Sequence, residues 1–213
     1  MKDFYSFGRN KEHKKTTQSK ELQPISCDFA IACVDGFGGI GRNGELLTHN
    51  RDDMRFFREK TENSILVMGS KTYESLPNAS DMMRKGNRIG IILTREKDMA
   101  LPFEFIAMTK EEFRCPETFI QKLDSHFGNG KAILKYSTEN IVLIGGAYYY
   151  NQLEELGIRK VYLTRLLGKE FNTYPSKADT FVDLDQQIFQ EVPRTIFKNS
   201  EIKIEEYIQD NPL

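Results

Sequence analysis

Short apolar segments alternate with amphipathic and glycine-rich segments along most of this 213-residue chain. The apolar runs predict buried strands, because a strand covered on both faces has a near-continuous hydrophobic sequence. Such strands are predicted at residues 29–34, 65–68, 89–93, 103–108, 141–144 and 161–166. Helices are predicted after Asn50, after Gly69, at 115–127 and at 147–156, and a polar loop at 78–87. Near the C-terminus, residues 201–208 alternate as a half-exposed antiparallel strand does, and Pro193 in the preceding run indicates an edge or a bulge.

This alternation predicts a single-domain α/β fold, a three-layer sandwich around a mainly parallel mixed sheet that a C-terminal antiparallel hairpin closes. We expect the domain to occupy residues 27–213. Residues 1–26 are a polar N-terminal extension that cannot order itself alone, so it is either flexible or laid over the domain.

Composition excludes several classes of protein. The 30 basic and 31 acidic residues nearly cancel, so no nucleic acid or membrane is expected as a partner. An odd number of cysteines, three, favours reduced thiols in a cytoplasmic protein over a disulfide framework. The histidines and cysteines lack the spacing of a metal site, so we expect no metal. No signal peptide or membrane-spanning run is present, and we expect a soluble monomer or weak homodimer.

The most informative segment begins at Asn50, a good helix N-cap with Asp53 three residues later. At 3.6 residues per turn, Asp53 and Phe57 share a face of this helix, with Phe56 beside them. Asp53 is either a capping acid above two core phenylalanines or a partly buried acid that binds a flat, polar ligand. The helix alone favours the first interpretation. The five glycines at 36–44 favour the second, because such a backbone can move or approach a ligand closely.

Residues 36–41 match the G-x-G-x-x-G pattern of dinucleotide-binding folds, but we reject that interpretation. The fingerprint should open a helix at once and be followed by an acid at the end of the next strand. Here residues 42–44 continue the loop, and no acid ends the strand at Met68.

Two other strand-ending turns could approach a phosphate. In the first, Ser70 is predicted to cap a short helix, so that free amides gather near Lys71 and the Thr72 hydroxyl. This is either an anion site or an ordinary turn after Gly69. In the second, Gly145-Gly146 allows a phosphate or a ring to approach the main chain.

Three polar side chains lie on or beside predicted strands. Arg88 precedes a strand and could bind a carboxylate, and Arg95 follows it and could bind a phosphate, although exposed arginines are common there. Thr164 lies within an apolar strand and needs a hydrogen-bond partner, for which a carboxylate such as Asp53 would serve.

Seven segments, in order and with family-like spacing, resemble the dihydrofolate reductase family over about residues 28–209. They are AIACVDGFGGIGRNGEL, DDMRFFRE, VMGSKTYESL, NRIGIILTR, VLIGGAYYYNQL, VYLTRL and ADTF. Each is weak alone, but together they are specific. The resemblance implies an enzyme that transfers hydride from NADPH to C6 of 7,8-dihydrofolate, with protonation at N5, and gives tetrahydrofolate.

The resemblance also implies roles at the substrate site. Asp53 would bind the 2-amino group and N3 of the pterin and favour protonation of N5 through water, with Thr164 bonded to that carboxylate or to the pterin. Arg88 would pair with the α-carboxylate of the glutamate tail. The remaining substrate positions are Ile31 and Ile144, through their carbonyls, together with Ala32, Met54, Phe57 and Tyr150.

For the cofactor, the resemblance implies that Lys71 and Arg95 favour the 2′-phosphate of NADPH. The Gly145–Gly146 peptide would be cis, and residues 35–48 would form a mobile flap over the nicotinamide. The full set is Cys33, Ile40, Gly41, Gly69, Ser70, Lys71, Thr72, Leu93, Thr94, Arg95, Gly145, Gly146, Ala147, Tyr148, Tyr149 and Tyr150.

The chain departs from the family at two positions. Thr48 stands where the family has a tryptophan, and this chain has no tryptophan. Ser70 replaces a usually basic residue of the phosphate turn. We therefore expect a working enzyme with weaker or altered pterin binding.

Alternatives stay open at this point. The chain could be a reductase of the same superfamily that acts on another heterocycle, such as the pyrimidine of riboflavin synthesis. It could also be a non-catalytic binding or structural module that retains the fold, which the missing tryptophan and the N-terminal extension motivate. Finally, a rotated helix would present Asp52 in place of Asp53.

Overall fold

The computed structural model describes residues 22–96, 99–128, 140–184 and 192–209. Within them the main sheet consists of β1 (Phe29–Val34), β4 (Ile65–Gly69), β5 (Ile89–Leu93), β6 (Phe105–Met108), β7 (Ile141–Gly145), β8 (Lys160–Leu166), β10 (Arg194–Lys198) and β11 (Ile202–Ile208). Their order is β10-β11-β8-β1-β7-β4-β5-β6. A smaller sheet contains β2 (Gly39–Arg42), β3 (Glu45–Leu46) and β9 (Thr180–Phe181), with β2 in the middle. The predicted loop at 35–48 therefore contains two short strands.

Strand directions confirm the predicted fold class. β1 is parallel to β7 and β8, and the pairs β4–β5, β4–β7 and β5–β6 are also parallel. β11 is antiparallel to both β8 and β10, and forms the closing hairpin with β10. Pro193 directly precedes β10, which is an edge strand with an irregularity between Thr195 and Phe197, so the proline was interpreted correctly.

The helices differ from the prediction in places. They are α1 (Arg51–Lys60), α2 (Ser70–Ser75), α3 (Ala79–Lys85), α4 (Lys110–Arg114), α5 (Pro116–Phe127) and α6 (Ala147–Tyr150), with 3₁₀ turns at Glu154–Leu156 and Lys169–Phe171. The predicted loop at 78–87 was wrong, since α3 forms there and buries Met83. The predicted helix at 147–156 breaks after α6, and Tyr150, Leu153 and Leu156 all reach one core cluster at the spacing of three typical of 3₁₀ structure.

Two apolar clusters cover the two faces of the main sheet. Because side chains alternate along a strand, β1 contributes Ala30, Ala32 and Val34 to one cluster and Phe29 and Ile31 to the other. The first cluster includes Phe119 and Leu123 of α5, and the second includes Phe56 of α1. Among the described residues, no helix combines the length and the apolar character that crossing a membrane requires.

β1 and β7 separate early along their length. Their pairing covers only Phe29↔Val142 and Ala30↔Leu143, whereas β1 stays paired with β8 as far as Val34↔Arg165. A crevice at the carboxyl ends of parallel strands, where the chain order reverses, is the usual ligand site of open α/β sheets. The separation therefore places the candidate site beyond Ala30.

The core on the α5 face offers a matched test of packing. Phe119 is buried and packs edge-on against Phe113, with ring centroids 5.6 Å apart, whereas its neighbour Ile120 is exposed. Phe119→Ala should lower the free energy of unfolding by about 3–5 kcal/mol. Ile120→Ala should change it by less than about 0.5 kcal/mol. Urea unfolding measures both, and equal losses would contradict the assigned orientation of α5.

Candidate active site

The first turn of α1 fixes which of two neighbouring acids faces inward. The Asn50 Oδ1 accepts hydrogen bonds from the amides of Asp52 (3.0 Å) and Asp53 (3.2 Å), which confirms Asn50 as the N-cap. The Asp52 carboxylate turns outward, where it accepts from Asn199 Nδ2 (3.0 Å) and pairs with Arg55 (2.9 Å). The Asp53 side of the helix is buried, with the residue only 6 % exposed.

The surroundings of Asp53 keep its carboxyl away from water. Cys33 on β1 and Thr164 on β8 are register neighbours at this end of the sheet. Burial raises the pKa of Asp53, and the Thr164 hydroxyl partly offsets that rise. Burial also raises the pKa of the Cys33 thiol, and the Asp53 charge adds to that effect.

The Thr164 hydroxyl is the unusual polar group of the site. It is 1 % exposed, and its Oγ1 has no hydrogen-bond partner among the described residues. It is near enough to Asp53 to influence the pKa of that acid, but the two do not meet the geometry of a normal hydrogen bond. Buried hydroxyls nearly always have a partner, so this group suits a polar ligand bound beside Asp53.

Where β1 and β7 separate, one main-chain carbonyl already accepts a hydrogen bond from within the protein. The buried Tyr150 hydroxyl donates to the Ile31 carbonyl at 2.6 Å, and a carbonyl oxygen has a second lone pair for another donor. Ile144 lies near the end of β7, across the crevice. The Ala32 side chain packs into the cluster on the opposite face of the sheet, so only its main chain can line this site.

Arg88 is buried, contrary to the exposed alternative for a strand-flanking arginine. It is 6 % exposed, and its guanidinium donates to the carbonyls of Thr61 (2.8 Å), Met82 (2.9 Å) and Arg58 (3.1 Å). These bonds use three of the five N–H groups of a guanidinium. The group also lies 5.9 Å from the Phe57 ring centroid, on the same helix as Asp53.

The two glycine turns lie against each other. A Cβ on Gly145 would lie 2.4 Å from Thr72 Cγ2, and one on Gly146 would lie 3.3 Å from the Gly69 amide nitrogen. The Tyr149 hydroxyl donates to the Leu93 carbonyl at 3.1 Å and so joins the end of β5 to this group. The ends of β4, β5 and β7 therefore form one continuous surface.

This surface fits the phosphates of a dinucleotide. No side chain caps the first turn of α2, so its amides are not used within the helix. Lys71 and Arg95 are both exposed and follow the neighbouring strands β4 and β5, whose register pairs Gly69 with Leu93. Thr94 follows Leu93 directly, and Ala147 and Tyr148 begin α6 after the second glycine turn.

Two details of these turns differ from the expectations. Gly69 is the N-cap and Ser70 the first helical residue, because the extended Gly69 (φ −82°, ψ 163°) leads β4 straight into the helix. The Gly145–Gly146 peptide is not cis. Gly146 makes the turn with a φ of +103°, and the described residues have their one cis peptide at Tyr174–Pro175.

Ile40 and Gly41 of the glycine-rich loop both lie on β2. Ile40 is partly buried against the core cluster of the α5 face, and Gly41 pairs with Leu46 of β3 and Thr180 of β9. Sequence reasoning missed β9, whose two residues show no strand pattern. It also missed Asp35, a buried acid directly after β1.

The two acids of α1 should have opposite effects on stability. Because burial raises the pKa of Asp53, the folded protein keeps this proton at pH values where the unfolded chain, with a pKa of about 3.9, has lost it. The free energy of unfolding contributed by this group therefore falls as pH rises from that value through the raised pKa. Asp53→Asn should stabilise the protein at pH 7 but not near pH 3.

The matched variant Asp52→Asn should lower the free energy of unfolding at pH 7 by about 0.3–1 kcal/mol, because it weakens a favourable charge at the helix start and an exposed ion pair. Urea unfolding at several pH values measures both variants. A loss of stability at pH 7 in Asp53→Asn would contradict the buried position of this charge.

Comparison with known proteins identifies the family. A sequence model of the family described as dihydrofolate reductase matches residues 29–209. The chain is 26 % identical over 193 residues to the type 9 dihydrofolate reductase of Escherichia coli, covering 86 % of this chain and 93 % of that protein. It is 27 % identical to the dihydrofolate reductase of Saccharomyces cerevisiae over 174 residues, 76 % of this chain and 75 % of that protein.

The fold has a solved counterpart. The dihydrofolate reductase of Enterococcus faecalis, solved in complex with NADP(H) and RAB-propyl, superimposes with a TM-score of 0.55 and 24 % identity. The match covers 89 % of this chain and all of the other (100 %). The family model covers most of the chain, and the sheet agrees with the solved counterpart, so the chain belongs to the dihydrofolate reductase family of NADPH-dependent oxidoreductases.

Proposed function

We propose that this protein reduces 7,8-dihydrofolate to 5,6,7,8-tetrahydrofolate with NADPH, and that Asp53 is its central catalytic residue. The observation that carries the proposal is the inward-facing Asp53 carboxylate at the crevice where β1 leaves β7. A buried acid at this place can bind a flat heterocycle and supply a proton to its reaction without offering a metal or a nucleophile.

Asp53 would bind the 2-amino group and N3 of the pterin. A carbon–nitrogen double bond accepts hydride more readily when its nitrogen is protonated, and an acid whose pKa is raised by burial favours that protonation at N5. The orphaned Thr164 hydroxyl would complete its hydrogen bonding with the Asp53 carboxylate or with the pterin. The Ile31 and Ile144 carbonyls would define the inner edge of the pterin site.

The substrate's other half would extend along α1. Met54 and Phe57 are half-buried on this helix and would contact the pterin and benzoyl groups. Arg88, held by three carbonyls beside Phe57, would pair with the α-carboxylate of the glutamate tail. An arginine fixed in this way loses little conformational freedom when it binds a carboxylate.

NADPH supplies the hydride, and the chain's residues hold and orient it. The adjoining turns at Gly69–Thr72 and Gly145–Tyr148 would bind the pyrophosphate through their amides. Lys71 and Arg95 would carry the selectivity for the 2′-phosphate, because Ser70 brings no charge. Cys33, Ile40, Gly41 and Tyr150 would line the nicotinamide end of the site.

We also propose that the protein acts in the cytoplasm as a monomer or weak homodimer, with no nucleic acid or membrane as a partner. The three cysteines are free, and the formal net charge is −1. A size-exclusion profile combined with light scattering measures the oligomeric state directly.

Replacing Asp53 should remove most of the activity. Asp53→Asn removes the ionisable acid at nearly constant volume, so kcat/KM for dihydrofolate should fall by about 10²–10⁴-fold. In the parent, the rate should fall as pH rises, because Asp53 loses its proton. The remaining rate of Asp53→Asn should not show this fall. Asp52→Asn should stay within about twofold. Stopped-flow measurement of NADPH oxidation across pH tests both, and a loss confined to position 52 would overturn the assignment.

Thr48 should limit pterin binding. It is half-buried at the end of the glycine loop, where a larger aromatic side chain could cover more of the ligand. We expect Thr48→Trp to lower the KM for dihydrofolate by about two- to tenfold, since a well-placed aromatic contact contributes about 0.5–1.5 kcal/mol. Steady-state kinetics at saturating NADPH provides the measurement, with Thr48→Ser as the control. A higher KM for Thr48→Trp would show that the loop is shaped around the smaller residue.

A further inference from the structure

Asp35 is a buried acid that the proposed mechanism does not use. It follows β1 directly and is 2 % exposed. Its Oδ1 accepts hydrogen bonds from the amides of Phe37 and Gly39, both at 2.8 Å. Its Oδ2 accepts from the Ser176 hydroxyl, whose oxygen in turn accepts from the Ala178 amide at 3.0 Å. One carboxylate thus connects the glycine loop to a segment 141 residues further along the chain.

The segment at 171–182, which contains Ser176, also holds the glycine loop through main-chain hydrogen bonds. The Gly36 amide donates to the Phe171 carbonyl (2.9 Å), and the Val182 amide donates to the Gly38 carbonyl (2.9 Å). A Cβ on Gly36 would lie 2.3 Å from Asn172 Oδ1. One on Gly39 would lie 2.3 Å from Ala178 Cβ and 2.7 Å from Asp35 Oδ2. Gly36 and Gly39 therefore allow the loop to pack closely against other parts of the chain.

Asp35 stands between two parts of the proposed nicotinamide site. On its N-terminal side, β1 carries Cys33. On its C-terminal side, Asp35 accepts a hydrogen bond from the amide of Gly39. Gly39 is the first residue of β2, which also contains Ile40 and Gly41. β2 continues the same attachment, because Gly39 and Gly41 pair with Phe181 and Thr180 of β9. The carboxylate therefore connects the end of β1 to the start of β2.

We propose that Asp35 is a positioning residue: together with Ser176, its carboxylate fixes the glycine loop so that Ile40 and Gly41 lie over the nicotinamide site. The proposal rests on the proposed function for the identity of that site. Three donors converge on Asp35, so its oxygens are matched in the docked loop, and its loss would leave buried amides without acceptors. The free-energy difference that favours the docked position of the loop over undocked positions would then become smaller.

The absence of tryptophan from this chain allows a clean probe of the loop. Phe37 is partly exposed on the loop and packs edge-on against Tyr174, with ring centroids 6.1 Å apart. Phe37→Trp places a single indole there, and its quenching by acrylamide reports whether the loop is docked. In this background we would compare Asp35→Ala, Asp35→Asn and Ser176→Ala, with Glu45→Gln, an exposed acid of the same loop, as the matched control.

We expect graded effects on the loop. Asp35→Ala should increase acrylamide quenching by up to about twofold, because Phe37 is already 43 % exposed in the docked loop, with far-UV circular dichroism unchanged. Asp35→Asn keeps an oxygen for the two amides, and Ser176→Ala keeps the carboxylate, so both should lie between Asp35→Ala and the parent. Gly39→Ala should act in the same direction, because its methyl group would separate Ala178 from Asp35.

The catalytic readout separates positioning from general stability. In Asp35→Ala, hydride transfer in a single turnover at saturating ligands should slow by about 10–100-fold, as small misplacements near a reacting centre do, with the KM for dihydrofolate changed far less. Unchanged quenching would overturn the proposal, as would a lower melting temperature with hydride transfer within twofold of the parent. If the parent does not reduce dihydrofolate, the proposed function fails, while quenching and NADPH binding still decide whether Asp35 docks the loop.

Discussion

The early separation of β1 from β7 is the constraint on which the rest of this structure depends. β1 is held along its length by β8 and is covered on both faces by apolar clusters, so it cannot shift to rejoin β7. Beyond Ala30 its main chain therefore faces a crevice, and the Tyr150 hydroxyl satisfies one carbonyl there. Cys33 and Thr164 on the neighbouring strands, and Asp53 above them, then gather where the crevice begins.

Burying the Asp53 carboxylate lowers the stability of the fold, and other residues of the helix hold it in that buried position. Asn50 caps the helix, Phe56 packs into the core, and Asp52 accepts from Asn199, so the orientation of α1 is decided by groups other than the buried acid. The helix thus places the Asp53 carboxylate away from the water that would stabilise its charge, and burial raises its pKa as a result. Such a local cost is typical of functional sites, which keep groups that packing alone would not select.

The sequence predicts those features that local pattern alone determines. Apolar runs located the parallel strands, and the sequence identified Asn50 as the cap of α1. Whether Asp52 or Asp53 faces inward stayed open in the sequence, and the structure decides it, because Asp52 accepts a hydrogen bond from Asn199 and Asp53 is buried. The features that the sequence did not predict have a weak local pattern or depend on contacts with distant parts of the chain. Met83 is the one fully buried residue of α3, with Ala79 and Met82 only partly buried, and this is too weak a pattern to recognise in the sequence. The depth of Arg88 comes from carbonyls up to 30 residues away, and the partner of the glycine loop lies beyond residue 170.

Asp35 and Asp53 show how environment separates two buried carboxylates of one chain. Asp35 receives two amides and a hydroxyl, so its oxygens are matched by protein groups and it suits a fixed structural attachment. Asp53 lies beside a hydroxyl that stays without a hydrogen-bond partner, so its oxygens suit groups that come from outside the chain. Both residues are aspartates and both are buried. The number of donors supplied by the fold is therefore what distinguishes an acid that holds the loop from one that can meet a substrate.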